Sequence, residues 1–388
     1  MPQKNKKIIL QIIPNMEIGG AEKSVLEIGS YLKKSQYEPM VLTSGGRLIE
    51  KLKNEDIKVI IRKIDQKDPL NIYKNIKILE NIFIENKVSL IHARSRAPAW
   101  SAFYASKKLN IPFVTTWHGH ADSNSYLKKK YNSIMAKGNA VIANSDYTAK
   151  NITKNYNIEL NQVDIIPRGV NSEDYNIDQF SDKSINKLRS EWSEDKNQKI
   201  ILLPARYSDW KGHELAIKAI SKIKEKNTDH KISLIFVGNK EANNKYIIKL
   251  KKIAKKFNVD TNLKILGNFD NMPLAYHACD IALYPSIKPE PFGRVPIEAQ
   301  AAGCLIIASD HGGVKETILD GEMYTGFKVR INDVEDLAKK IDSALNLNAS
   351  ELDKIRRRSI NNVNKNFSLE NMCKKTLEVY DRILNVSV

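Results

Sequence analysis

The stretch from Ala282 to Glu316 reads ALYPSIKPEPFGRVPIEAQAAGCLIIASDHGGVKE. It holds the end of a strand, a Pro- and Gly-rich loop and a helix opening near Pro296. An apolar run from Leu305 to Ala308 follows, then a turn with Gly312 and Gly313. That order is how an α/β protein presents polar groups to a ligand beyond its strand ends. Two carboxylates, Glu290 and Glu298, have seven residues between them. Glu290, before Pro291-Phe292-Gly293, can be held against a sugar. Glu298, just after Pro296, lies near a helix start and can accept hydroxyls. Each is equally a solubilising side chain. Their spacing in sequence does not give their separation in space, so it does not identify a paired-acid mechanism.

Outward from this stretch, strands and helices alternate. Before it, apolar runs at Ile200 to Pro204, Ile232 to Val237, Leu263 to Leu266 and Ile281 to Tyr284 read as strands. Helical patterns at Lys211 to Ile223, Asn243 to Phe257 and Met272 to Ala278 separate them. The amino-terminal part repeats the pattern, with strands at Ile8 to Ile13, Pro39 to Leu42, Ile57 to Ile61, Val88 to His92, Pro112 to Trp117, Ala140 to Ala143 and Val163 to Ile166. This is the signature of parallel sheets with helices on both faces. The polar stretch Asn171 to Asn197 reads as the linker, with a short helix inside it. The expected architecture is therefore α/β, with two Rossmann-like parallel-sheet domains facing across a cleft. Their expected bounds are residues 1–185 and 186–367, with a carboxy-terminal segment, 368–388, after the second sheet. Leu369 to Leu384 reads as its helix.

A chain of 388 residues suits two domains. Its 42% hydrophobic and 28% charged residues are those of a folded globular protein. Three cysteines argue against a disulfide framework, and no Cys-x-x-Cys or His-Glu-x-x-His spacing suggests a metal site. No segment approaches the apolar length of a membrane span. Lys plus Arg is 62 against 45 for Asp plus Glu, a formal charge of +17. Such a surface attracts anions such as nucleotides or lipid headgroups, or simply reflects a lysine-rich solvated exterior. The lysines are spread and no compact nucleic-acid-binding module is visible, so no nucleic acid is expected as partner.

Other residues sit where the pattern puts ligands. Gly19-Gly20, between the first strand and first helix, offers close backbone approach at a helix N-terminus, or a tight turn. Arg206 and Lys211 bracket the turn Ala205-Arg-Tyr-Ser-Asp-Trp-Lys-Gly212 after the first strand of the second domain. They can clamp a diphosphate, or be surface charge at a strand end. His118 ends a strand beside Gly119, with His120 its neighbour. Arg94, Ser95 and Arg96 follow another strand, where they can bind an anionic acceptor or solvate a loop. Trp100 and Trp117 read as packing residues.

These motifs together resemble the retaining, nucleotide-sugar-dependent glycosyltransferases of GT-B fold, and most of all glycosyltransferase family 4. Pro14-Asn-Met-Glu-Ile-Gly-Gly-Ala-Glu22 resembles the family's glycine loop. Ala205 to Gly212 resembles its Arg…Lys-Gly clamp. Pro289 to Ala299 carries Glu-x7-Glu, and Ser309 to Glu316 the glycine turn. The resemblance implies that Arg206 and Lys211 bind the donor diphosphate and that Glu298 holds the ribose. Glu290 would contact the transferred sugar, and His118 would lie by the reaction centre. Gly20, Phe292, Gly293, Arg294, Gly312 and Gly313 fall on the donor side. Arg94, Arg96 and His120 fall on the acceptor side. It also implies that the last helix returns to the first domain, that the nucleotide-sugar (UDP-sugar favoured) is a substrate, and that catalysis needs no metal or other cofactor. Arg94-Ser-Arg-Ala-Pro-Ala-Trp100 resembles bacterial lipopolysaccharide and envelope-polysaccharide transferases. That implies a saccharide or lipid-linked acceptor, and a cytoplasmic enzyme in peripheral contact with the anionic inner face of the membrane. A nucleotide-sugar epimerase or sugar-phosphate synthase of the same fold is the alternative, and a basic non-catalytic binding protein the alternative of another class. Two departures stand out: Ala205 where glycine commonly precedes the arginine, and Arg168 where asparagine is common.

Overall fold

The computed structural model describes residues 6–17, 19–119, 125–226 and 230–385. They divide into two compact units, 1–168 with 369–388, and 169–368. The first unit holds β1 (Lys7–Ile12), β2 (Tyr37–Thr43), β3 (Lys58–Ile61), β4 (Val88–Ala93), β5 (Phe113–Trp117), β6 (Ala140–Ala143) and β7 (Val163–Ile165). They form one parallel sheet in the order β3-β2-β1-β4-β5-β6-β7. The second unit holds β8 (Lys199–Pro204), β9 (Ile232–Val237), β10 (Leu263–Leu266), β11 (Ile281–Tyr284), β12 (Leu305–Ser309) and β13 (Phe327–Val329). Their order is β10-β9-β8-β11-β12-β13, again parallel throughout.

The run KIILLP of β8 shows why these strands are apolar without alternation. Ile201 and Leu203 enter the core on one face of the sheet, and Ile200 and Leu202 the core on the other. A strand covered on both faces needs apolar residues at every position. β1 does the same, sending Leu10 and Ile12 to one core and Ile9 to another.

Two sequence expectations are corrected. The first unit ends at Arg168, not residue 185, and the expected linker belongs to the second unit. Val170, Tyr175, Leu188 and Trp192 are all buried in the second unit's core. Leu188 and Trp192 lie on the helix Asp182–Trp192, four residues apart and so on one face. Only Ile185, partly buried against the same core, joins them, and every other position is polar or charged, so the stripe is short. β13 was also missed: it is three residues long, pairs only with β12 and is half-exposed.

The helix Leu369–Ile383 packs within the first unit through Met372, Cys373, Val379 and Tyr380, beside Ile9, Ile28 and Val114. Its polar contacts are specific. The Tyr380 hydroxyl lies 2.5 Å from His92 Nδ1, and His92 Nε2 lies 2.6 Å from Thr116 Oγ1. Tyr37 donates to Asp381 at 2.5 Å, and Arg382 grips Asp164 through two bonds of 3.0 and 2.6 Å. Burial, with Arg94 and Arg168 nearby, holds His92 well below its ordinary range, so it stays neutral. Among the described residues no helix is long and apolar enough to cross a membrane.

Two stability outcomes follow. Tyr380→Phe strands a buried ring nitrogen and should cost about 1–3 kcal/mol in urea unfolding of the full chain. A loss below a few tenths would mean that water replaces the hydroxyl. In the second unit His213 is fully buried against Phe236, at a ring distance of 4.9 Å, and Tyr207, at 5.3 Å. Burial pushes its pKa down to about 3. The unfolded chain takes the proton first, near the ordinary value of about 6.5. Stability that is complete above that pH is therefore lost as pH falls toward about 3, by about 1.4 kcal/mol per unit. His213→Phe should flatten this acid slope in thermal unfolding across pH. An unchanged slope would assign it elsewhere.

Candidate functional site

In each sheet the strand order reverses once: between β1 and β4 in the first, and between β8 and β11 in the second. Loops leaving adjacent strands at such a point go to opposite faces and leave a crevice at the carboxyl ends. The described residues singled out from sequence lie in loops that leave the carboxyl ends of the strands, at these two reversals and beside them.

In the second unit, the loop after β8 carries Arg206 and Lys211, and the loop after β11 carries Glu290. Gly212 lets the two loops meet: it sits at φ +81, and a Cβ there would overlap the Pro285 carbonyl. Lys211 Nζ reaches Glu290 Oε1 at 2.5 Å and the Tyr284 hydroxyl at 3.1 Å, and lies 4.2 Å from the centre of the Trp210 ring. Ser286 Oγ donates to the same carboxylate oxygen at 2.6 Å. Both charged side chains are less than a tenth exposed. Burial lowers the Lys211 pKa, and the Glu290 carboxylate works against that shift. An ammonium has three N–H groups. Glu290 and Tyr284 take two, leaving one for a ligand oxygen. Arg206 is exposed, and its charge is felt at Lys211.

The helix Arg294–Ala301 carries Glu298 in its second turn. Arg294 Nε donates to Glu298 Oε1 at 3.1 Å, and the buried Tyr276 hydroxyl donates to Oε2 at 3.3 Å. Gly293, at φ +108, is the helix N-cap. The Phe292 side chain is buried against Phe367, so only its backbone remains for a ligand. The paired glycines differ from expectation. Gly313 N–H already donates to the Glu290 carbonyl at 2.8 Å, and a Cβ on Gly312 would lie 2.5 Å from that oxygen. Gly313 therefore fixes the Glu290 loop rather than offering its N–H to a ligand, and Gly312 lets that loop come close. Ala205 is not at positive φ, which explains why alanine is tolerated there.

In the first unit, Arg94, Arg96, His118 and Glu22 line one cavity of about 210 Å³. Arg94 is buried and donates to Gln11 Oε1 at 2.5 Å, and Gln11 donates on to the Val25 carbonyl at 3.0 Å. The Arg96 guanidinium stacks 5.4 Å from the centre of the Trp117 ring. Arg168 contacts His118 Nδ1. Gly20 is the first residue of the helix Gly20–Lys33. The Glu22 carboxylate lies over Gly19 beside it, where any Cβ would collide with it. His120 lies outside the described residues.

Sequence reasoning missed Glu22, Tyr276, Tyr284, Ser286 and His311. His311, buried, has Nε2 2.7 Å from the Ser286 carbonyl, so that nitrogen carries the proton. The only available signal was proximity to motifs, because a tyrosine or serine beside a strand end reads as filler.

The family model described as Glycosyltransferase Family 4 matches residues 18–174, and that described as Glycosyl transferases group 1 matches residues 184–366. The crystal structure of a glycosyltransferase from Rickettsia africae is similar at 34% identity and TM-score 0.90, over 99% of this chain and 100% of that one. The Anabaena protein HepE, solved in complex with UDP and glucose, shares the fold at TM-score 0.83 and 21% identity, over 97% of this chain and 100% of that one. An uncharacterized glycosyltransferase of Methanocaldococcus jannaschii is 28% identical over 246 residues, 62% of this chain. The matched stretch spans 59% of that protein's own length.

The Lys211–Glu290 pair should behave as a coupled unit. Glu290→Leu or Lys211→Met alone leaves one buried charge unpaired and should cost about 3–5 kcal/mol of stability. The double variant should recover most of that in chemical unfolding of the full chain. Additive losses would show that the two charges are solvated separately.

Proposed function

Because this chain belongs to the GT-B glycosyltransferases, with a Family 4 first half and a group 1 second half, we propose that it transfers a hexosyl-type sugar with retention. The donor is a nucleotide-sugar, with a UDP-sugar favoured, and the acceptor a saccharide or lipid-linked saccharide of lipopolysaccharide or another envelope glycan. The observation that carries this reading is the Lys211–Glu290 pair at the strand-order reversal of the second sheet, with Arg206 on the same loop as Lys211 and its charge felt there. The UDP complex of HepE supports the choice of base.

The bond that breaks joins the anomeric carbon to a phosphate oxygen, and negative charge grows on the diphosphate. Arg206 presents a planar fork and Lys211 its remaining N–H to that charge, which stabilises the leaving group as it departs. The acceptor oxygen forms its bond on the same face, and its proton passes to the leaving phosphate oxygen. Glu290 is already committed to Lys211 and Ser286, so it orients and balances charge and does not attack. Glu298, steadied by Arg294 and Tyr276, accepts the ribose hydroxyls. Two cations supply the charge stabilisation that a divalent ion provides elsewhere, so transfer proceeds without a metal. A net charge of +17 favours peripheral contact with an anionic membrane face on the cytoplasmic side.

Melting of the purified chain in EDTA with UDP-, GDP- and ADP-sugars tests this. One nucleotide series should raise the melting temperature, with about 2.7 kcal/mol of added stability at a ligand concentration 100 times Kd. Glu298→Ala and Arg206→Ala should lose the shift. No shift at saturation, or a shift seen only with a divalent ion, would overturn the metal-free donor site.

A further inference from the structure

β5, β6 and β7 are neighbours in a parallel sheet, so all three end on the same edge. His118 directly follows β5. Arg168 stands three residues beyond β7, after Ile166, whose N–H still bonds the β6 residue Ala143 at 2.8 Å. Two strand spacings separate the chains, about 10 Å, within reach of an extended arginine. The Arg168 guanidinium crosses that gap and meets His118 Nδ1. Arg168 itself is only 5% exposed.

An arginine has no acceptor and keeps its charge throughout the ordinary pH range. A ring nitrogen that meets it must therefore offer a lone pair. In neutral imidazole the proton then resides on the other nitrogen. His118 Nε2 is buried and has no partner among the described residues, and the side chain lines the cavity of about 210 Å³. Among the described residues around it, the charged groups are mostly of one sign. Arg94 and Arg96 line the same cavity, Arg168 stands against the ring, and Glu22 is the one carboxylate among the cavity's lining residues. Cations on this side disfavour an imidazolium.

We propose that Arg168 is a positioning residue that holds His118 as the neutral Nε2–H tautomer, so that His118 donates a hydrogen bond to a ligand oxygen in this cavity and does not take a proton from it. The ligand group is an oxygen acceptor of the donor or acceptor saccharide: a ring oxygen, a hydroxyl or a phosphate. That last assignment rests on the transferase reading; the tautomer does not. An amide side chain at position 168 could donate or accept and would leave the tautomer open, whereas an arginine closes it.

The test is ring-nitrogen NMR of the full chain labelled with 15N-histidine, from about pH 5 to pH 9, with His118→Gln to assign the signal. The wild type should show the Nε2–H tautomer, neutral across the range. Arg168→Met should show mixed tautomers and take up a proton in the ordinary histidine range. Arg168→Lys, which keeps a donor-only cation, should restore the wild-type pattern. An Nδ1–H tautomer or an imidazolium in the wild type overturns the proposal, as does an unchanged His118 signal in Arg168→Met. Should Arg168→Met fail to fold, the wild type and Arg168→Lys decide, since a donor-only partner must keep the Nε2–H form in both. In the transfer reaction, kcat/KM of Arg168→Met should be reduced above about pH 6.5, where part of the neutral population carries Nδ1–H and offers no Nε2 donor, and should recover as the pH falls and both ring nitrogens become protonated. Absence of any transfer would count against the transferase reading, while the spectra would still decide the tautomer.

Discussion

Both sheets are parallel throughout, and the rest follows from that constraint. Parallel strands end on one edge, so each unit has one rim where loops gather, and one place on it where the strand order reverses. Residues far apart in sequence meet there because the strands before them are adjacent. Lys211 and Glu290, 79 positions apart, are brought to 2.5 Å by the pairing of β8 with β11. His118 and Arg168 meet because β5 and β7 flank β6. The chain needs no local signal for either contact.

The rim of the first unit depends on the last helix. Tyr380 holds His92, His92 holds Thr116, and Thr116 lies on β5 two residues before His118. Arg94 is tied in turn to Gln11 on β1. The polar groups behind the cavity thus form a connected set whose far end is the carboxy-terminal segment. In a buried set of this kind the loss of one member leaves its neighbours with costly orphaned groups. The terminal helix is therefore part of the support of the cavity as well as of the core.

Much of this was legible in sequence. All strands of the first sheet, and all but one of the second, announce themselves as apolar runs, because burial on both faces removes polar alternation. Glu290, Glu298, Arg206 and Lys211 stand out as charges at predicted strand ends. The remainder was hidden for specific reasons. The short helix expected inside the linker is Asp182–Trp192, but it buries only Leu188 and Trp192, too few to show that the segment belongs to a core. β13 is a short edge strand with little to bury. Tyr276 touches Glu298 from another element, a contact only the packed fold creates. The turn with Gly312 and Gly313 was read as part of the donor side, yet what the Gly313 N–H bonds is the Glu290 carbonyl, which no spacing rule foretells.

The two rims differ in how their charge is balanced. In the second unit the key cations are already paired, Lys211 with Glu290 and Arg294 with Glu298. A ligand there meets closed ion pairs and must share them without removing either partner, since an orphaned buried charge costs more than the pair yields. A group with several oxygens, approaching the spare N–H of Lys211 and the exposed Arg206, satisfies that condition. A single anion that displaced Glu290 would not. In the first unit the guanidiniums outnumber the carboxylate around the cavity, and that excess is partly absorbed by neutral groups, by Gln11 for Arg94 and by the Trp117 ring for Arg96. An excess of cations at the wall disfavours an imidazolium, which makes hydrogen-bond donation, not proton abstraction, the chemistry available to a histidine there.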